Sequence, residues 1–63
     1  MDELANKMIM YRAKHRLTQE QMAKRCGVST MTISLIERGI QKPNRVTLAK
    51  IQMIVGGGEQ NEG

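Results

Sequence analysis

Few residues in this sequence are able to do chemistry. Cys26 is the single thiol and His15 the single imidazole; together they fall short of a structural zinc site, and one thiol cannot close an intramolecular disulfide. A thiol between Arg25 and Gly27 is open to a redox role if its pKa is depressed. Its spacing from Met22, however, puts Cys26 on the inner face of a helix, where a free Cys behaves as a small hydrophobe. His15 falls with Lys14 and Arg16 in the last turn of a first helix, where positive charge interacts favourably with the helix dipole. There are no paired carboxylates, no nucleophile-base set and no strand-to-glycine phosphate loop, since Gly56-Gly57-Gly58 follows a helix. The pattern argues against an enzyme. The six Met read as core filler and chain ends rather than metal ligands, and neither a cofactor, a metal nor a small-molecule ligand is expected.

What remains is charge. Ten Lys and Arg stand against six Asp and Glu, for a formal net charge of +4 and a pI near 9.7. Four of the acids, Asp2, Glu3, Glu59 and Glu62, lie near the ends, so the stretch 7–50 is more basic than the whole. Such an excess attracts polyanions over about a Debye length, although a merely solvated basic surface has the same composition. The longest apolar stretch, Met8 to Tyr11, is far too short to span a bilayer, and Met1-Asp2-Glu3 lacks a charged-then-apolar signal layout. A cytoplasmic protein without a membrane partner is expected.

The elements that position these charges follow from apolar spacing. A chain of 63 residues makes one domain, burying only about 60% of the surface its unfolded form exposes. With Tyr11 as the sole aromatic, the core must be Leu, Ile, Val, Ala and Met, which suits packed helices. Leu4, Met8 and Tyr11 recur at i, i+4, i+7 and predict a first helix over 2–15. Thr18 and Gln21 form a capping box for a second helix that turns Met22 and Cys26 inward and stops at Gly27. Ser29 caps a third, with Ile33 and Ile36 inside and Gly39 at its end. Pro43 interrupts helix, and Asn44 opens a fourth helix running to Val55 on a stripe of Leu48, Ile51 and Val55. An all-α fold of four helices, or four with a frayed fifth turn, is the expectation for 1–55, with 56–63 a flexible, Gly-rich polar tail.

The most informative stretch is 19–38, where Ala23, Gly27, Val28, Ile33 and Ile36 sit at fixed offsets. Ala23 suits a close crossing of the second and third helices, Gly27 the turn, Val28 its anchoring, and the two Ile the seating of the third helix. Here the sequence resembles the Cro and phage-repressor (Xre-like) helix-turn-helix family. The resemblance lies in Leu17-Thr18-Gln19-Glu20-Gln21-Met22-Ala23, Gly27-Val28-Ser29, Ile33-Ser34-Leu35-Ile36-Glu37-Arg38-Gly39 and Lys42-Pro43, and extends roughly from Leu4 to Val55. It implies a compact lambda-repressor-like DNA-binding domain. The third helix, about 29–38, would enter the major groove while the second crosses the backbone, usually in a two-fold dimer on a palindromic operator.

At 100° per residue, with Ile33 and Ile36 inward, the outer face of the third helix carries Met31, Ser34, Leu35 and Arg38, flanked by Thr30. These are the candidate base contacts. The resemblance adds Ser29 and Thr32, with Thr30, as base or phosphate contacts, and places Lys42 and Arg45 near the DNA backbone. Gln19, at the start of the second helix, is a phosphate candidate. The family often has Gln or Arg where Met31 and Leu35 stand; apolar side chains and hydroxyls suit thymine methyls and varied base edges, so an A·T-leaning site is expected. Alternatively Met31 and Leu35 contact a protein, and the basic loop is only solvated. The resemblance also sets Arg12 against Glu37 as a structural ion pair.

Val46, Met53 and Ile54 lie off the core stripe of the fourth helix. The family often closes this end with a fifth helix, for which the triglycine leaves no room. Met53 and Ile54, with Ile40, are therefore expected at a homodimer contact or against the first helix. The function implied is that of a small transcriptional regulator, chiefly a repressor of phage or mobile-element type, binding double-stranded DNA as a homodimer in association with the nucleoid. An antitoxin, a recombination accessory protein and a protein-interaction module are the alternatives.

Overall fold

The computed structural model describes residues 3–56, which form four helices: α1 (Glu3–His15), α2 (Gln19–Cys26), α3 (Thr30–Glu37) and α4 (Arg45–Val55). The expected tail falls outside the described residues except for Gly56, whose N–H bonds to Gln52 O at 2.8 Å; Asp2 also falls outside them.

α2, α3 and α4 each start where a side chain replaces a missing backbone partner. Thr18 Oγ1 accepts from Gln21 N–H at 3.0 Å, and Gln21 Oε1 accepts from Thr18 N–H at 2.9 Å, completing the capping box. Ser29 Oγ accepts from Thr32 N–H at 3.0 Å and Asn44 Oδ1 from Thr47 N–H at 2.8 Å. Caps of this kind stabilise a helix by about 1 kcal/mol each.

The helix ends reuse one device three times. After α2, Gly27 takes φ 76° and the N–H groups of Gly27 and Val28 both reach Ala23 O. After α3, which ends one turn residue earlier than the glycine implied, Arg38 is the C-cap, Gly39 takes φ 75°, and Ile40 N–H bonds to Leu35 O at 3.0 Å. After α1 the left-handed position is held by Arg16 at φ 55°, with Leu17 N–H on Arg12 O at 2.8 Å and Arg16 N–H on Ala13 O at 3.3 Å. This is a Schellman ending built without its usual glycine.

The core is Met8, Met22, Ala23, Cys26, Ile33, Ile36 and Ile51, with Leu4, Tyr11, Leu17, Val28, Ile54 and Val55 packed on its edge. α2 lies chiefly on α3; α1 rests on α3 and α4, and α4 also on α2. Ile33 and Ile36 are fully buried, so the inward face of α3 is the one that periodicity indicates. Two points differ from the sequence expectation, while Ile54 packs on the core cluster that includes Met8 of α1. Ala5 is buried beside Met8 although it lies off the Leu4-Met8-Tyr11 stripe. Of the described Met residues, Met8 and Met22 fill the core, while Met10, Met31 and Met53 are exposed. Four short helices do not enclose enough interior for more.

Cys26 is buried, and desolvation pushes its thiol above the ordinary 9.0. A raised thiol keeps its proton in the folded chain after the unfolded chain has lost it. This contribution to stability is therefore intact below pH 9.0 and is lost as pH rises beyond it. At pH 8, alkylation of native protein should be slower than in urea by on the order of a hundredfold or more, because the thiol reacts only through opening. Equal rates in the two conditions, followed by mass spectrometry, would show that Cys26 is accessible.

Candidate nucleic-acid interface

The geometry is organised around Glu37, the last residue of α3, whose side chain is only 4% exposed. Arg12, from α1, grips it with two parallel bonds, Nε to Oε2 at 2.8 Å and Nη2 to Oε1 at 2.9 Å. The same guanidinium donates through Nη1 to Leu17 O at 3.0 Å, in the turn between α1 and α2. Gln19, the first residue of α2, donates from Nε2 to Glu37 Oε1 at 3.0 Å. One carboxylate thus joins three helices. The hydrogen bonds to Glu37 hold Arg12 above its ordinary pKa against the opposing effect of burial, so the guanidinium stays charged. Fork-to-fork geometry fixes orientation as well as distance, which a lysine in place of Arg12 could not do.

This clamp sets the pose of α3. Thr30, Met31 and Arg38 are exposed, Met31 to 70%. Ser34 and Leu35 are half-buried, so the expectation that Leu35 points outward needs correction. α3 packs on both α1 and α2, and two neighbours cover more of a helix than the strip defined by Ile33 and Ile36. The freely accessible part of α3 is correspondingly narrower and lies towards Thr30, Met31 and Arg38.

Among the backbone candidates, Ser29 is exposed and Thr32 half-buried, with their hydroxyls 2.8 Å apart. Ser29 Oγ already accepts from Thr32 N–H. Whichever hydroxyl donates across the pair, the other keeps its hydrogen, so the two residues retain one O–H donor between them. Lys42 is exposed on the segment leading into α4, and Arg45 is exposed as the first residue of that helix. The structure brings Gln19 to Glu37 and Ser29 to Thr32; it draws neither Lys42 nor Arg45 into these networks.

Several contacts escaped sequence reasoning. Arg25 Nη1 donates to Tyr11 Oη at 3.2 Å, the Tyr11 and His15 rings lie 4.2 Å apart, and Lys50 Nζ reaches Gly27 O at 3.4 Å. The Tyr11-His15 contact could have been found from its i, i+4 spacing. The others, and the Gln19-Glu37 bond, depend on how helices pack and leave no periodic trace. Among the described residues, no group of three His, Cys, Asp or Glu could hold a metal ion, and no helix is long and apolar enough to cross a membrane.

Comparison with known proteins agrees with this geometry. The helix-turn-helix family profile matches residues 8–54, from the middle of α1 to the end of α4. The chain belongs to the Xre-like helix-turn-helix family. It is 45% identical over 53 residues to an uncharacterised HTH-type transcriptional regulator of Methanocaldococcus jannaschii, covering 84% of this chain and 80% of that one. It is 41% identical over 44 residues to another from Archaeoglobus fulgidus, covering 70% of this chain and 62% of that one. No solved structure matches it significantly. The helix-turn-helix unit is α2, the Gly27-Val28-Ser29 turn and α3, and the family is one of DNA-binding transcriptional regulators. In this member of the helix-turn-helix family, the unit is tied to α1 at the end of α3 through Glu37.

Proposed function

We infer that this chain is a sequence-specific regulator of transcription, chiefly a repressor of phage or mobile-element type, binding a palindromic operator as a homodimer. The observation that carries the reading is the rigidly clamped α3, whose accessible face combines Thr30, Met31 and Arg38 in a chain with excess positive charge. A helix held on two sides keeps its orientation when it enters a major groove, so base contacts form at little further entropic cost. Arg38 supplies a bidentate donor or a phosphate contact, Thr30 and Ser34 supply hydroxyls, and Met31 with part of Leu35 packs on thymine methyls. An A·T-leaning site follows. Ser29, Thr32, Gln19, Lys42 and Arg45 take the backbone. Gln19 acts there with the second hydrogen of its amide nitrogen, since one is spent on Glu37.

The dimer reading rests on Val46 and Met53 of α4 and on Ile40, all exposed apolar side chains at 64%, 78% and 62%. Association on DNA would remove them from water. The reading places the protein in the cytoplasm, on the nucleoid.

Selection of duplexes from a randomised pool by the 63-residue chain, followed by salt titration of the winner, tests the proposal. An enriched palindrome with half-sites about one helical turn apart, and an affinity falling steeply with salt, is expected. A pool that stays random under weak, salt-sensitive binding would reject sequence-specific operator recognition. No binding to any duplex would favour the module that uses Met31 and Leu35 on a protein, and co-purification of a toxin or recombinase would reassign the biology.

A further inference from the structure

Arg16 is the single non-glycine residue with positive φ among the described residues. Two other helix ends here adopt the same left-handed turn with Gly27 and Gly39. For an L-residue with a full side chain this conformation is unfavourable, and a Gly relieves it. Nothing in the packing asks for Arg: the side chain is exposed, and no hydrogen bond or ion pair within the described residues holds its guanidinium. Its backbone, by contrast, is well fixed. The next residue, Leu17, donates its N–H to Arg12 O at 2.8 Å and accepts from Arg12 Nη1 at 3.0 Å, and Arg12 is locked to Glu37 at the end of α3. Thr18, one residue further, is fixed by the capping box.

A long, permanently charged side chain with five donors and no partner among the described residues therefore stands on a backbone joined to the recognition unit through Leu17 and Arg12, in a conformation that works against folding. Strain of this kind persists where the surrounding backbone is fixed, as it is here, and clusters at ligand-binding sites.

We propose that Arg16 is a DNA-backbone contact, a cation retained at a glycine position to grip a phosphate beside the α2 N-terminus. The proposal rests on the DNA-binding reading above and adds a residue to it. Arg suits the task because it presents a planar fork of donors that matches phosphate oxygens, and because its attachment through a fixed turn reduces the freedom lost on binding. The strain and the contact pull in opposite directions, so one substitution separates them.

The test compares the full chain with its R16G, R16K and K14Q variants, measuring thermal unfolding and affinity for the duplex selected from the random pool across a salt series. R16G should unfold roughly 4 to 8 °C higher, since it relieves the left-handed strain in a domain this size. It should also bind about tenfold more weakly, as expected for loss of one charge-assisted bond, and the slope of log K against log salt should flatten by about 0.9. R16K should keep the slope, while K14Q, which removes an exposed charge two residues away, should change affinity less than about twofold if only diffuse attraction is lost. An R16G variant that binds as tightly as the parent with the same slope overturns the proposal, as does a loss in K14Q equal to that in R16G. If the unaltered chain binds no duplex, the DNA-binding reading fails and the role of Arg16 with it.

Discussion

Replacing Arg12 with Ala should lower the stability of the chain by about 3 kcal/mol, while Glu37→Ala should cost about half as much. The asymmetry comes from burial. Removing the guanidinium strands a carboxylate that is 4% exposed, left with one neutral donor from Gln19 at 3.0 Å. Removing the carboxylate leaves a guanidinium 23% exposed, which still donates to Leu17 O and can turn the rest of its donors to water. A domain of this size has roughly 3 to 9 kcal/mol of stability in total, so R12A should lose about a third of it or more. The combined variant R12M/E37L should be more stable than R12A by about 1 kcal/mol or more, because apolar replacement removes the stranded charge. Urea denaturation of the two Ala variants and their combination forms a double-mutant cycle. Strict additivity would show that the pair is not coupled and that Glu37 does not join the helices as its geometry suggests.

Ile33→Ala should be as damaging or more so, at about 3 to 4 kcal/mol, since a fully buried Ile leaves a cavity at the contact of α3 with the rest of the core. Met31, two residues earlier, is 70% exposed, and Met31→Ala should change stability by less than about 0.5 kcal/mol. The functional effects should divide differently. Ile33→Ala loses DNA binding only to the extent that it unfolds, so added stabilising osmolyte should restore much of it. Met31→Ala keeps the fold and should weaken the preference for A·T at one position of the selected site by about 1 kcal/mol. Denaturation curves and repeat selections on both variants check the pair. An unchanged site preference in M31A would remove Met31 from the reading surface.

How much was legible in advance varies with the kind of information involved. The caps at Thr18, Ser29 and Asn44, the turn at Gly27 and the burial of Ile33, Ile36 and Ile51 all follow from local rules, because a cap or stripe involves residues within one or two turns of each other. The half-burial of Leu35 does not. It depends on α1 and α2 both resting on α3, and helical periodicity marks only the middle of the buried arc, not its width. The Met residues show the same limit: their flexible, apolar side chains suit a core or a surface, and the number enclosed is decided by how much interior four short helices make.

Arg16 illustrates the point most clearly. Leu17 and the capping box after it announce that α1 must end nearby, yet no local rule assigns a left-handed backbone to an Arg. The clamp is similar. Likeness to a family pairs Arg12 with Glu37, but the inclusion of Gln19 and of Leu17 O depends on the relative placement of three helix ends. The sequence by itself determined the helices, the caps at Thr18, Ser29 and Asn44 and the inward placing of Met8, Met22, Ile33, Ile36 and Ile51, since those are set by hydrogen bonds and apolar contacts between near neighbours along the chain. Only the tertiary structure decided how wide a face of α3 stays open, which side chains meet at Glu37 and where an Arg takes the left-handed backbone. Those outcomes arise from helix packing, which brings together residues as far apart as 12 and 37 as donor and acceptor of one bond.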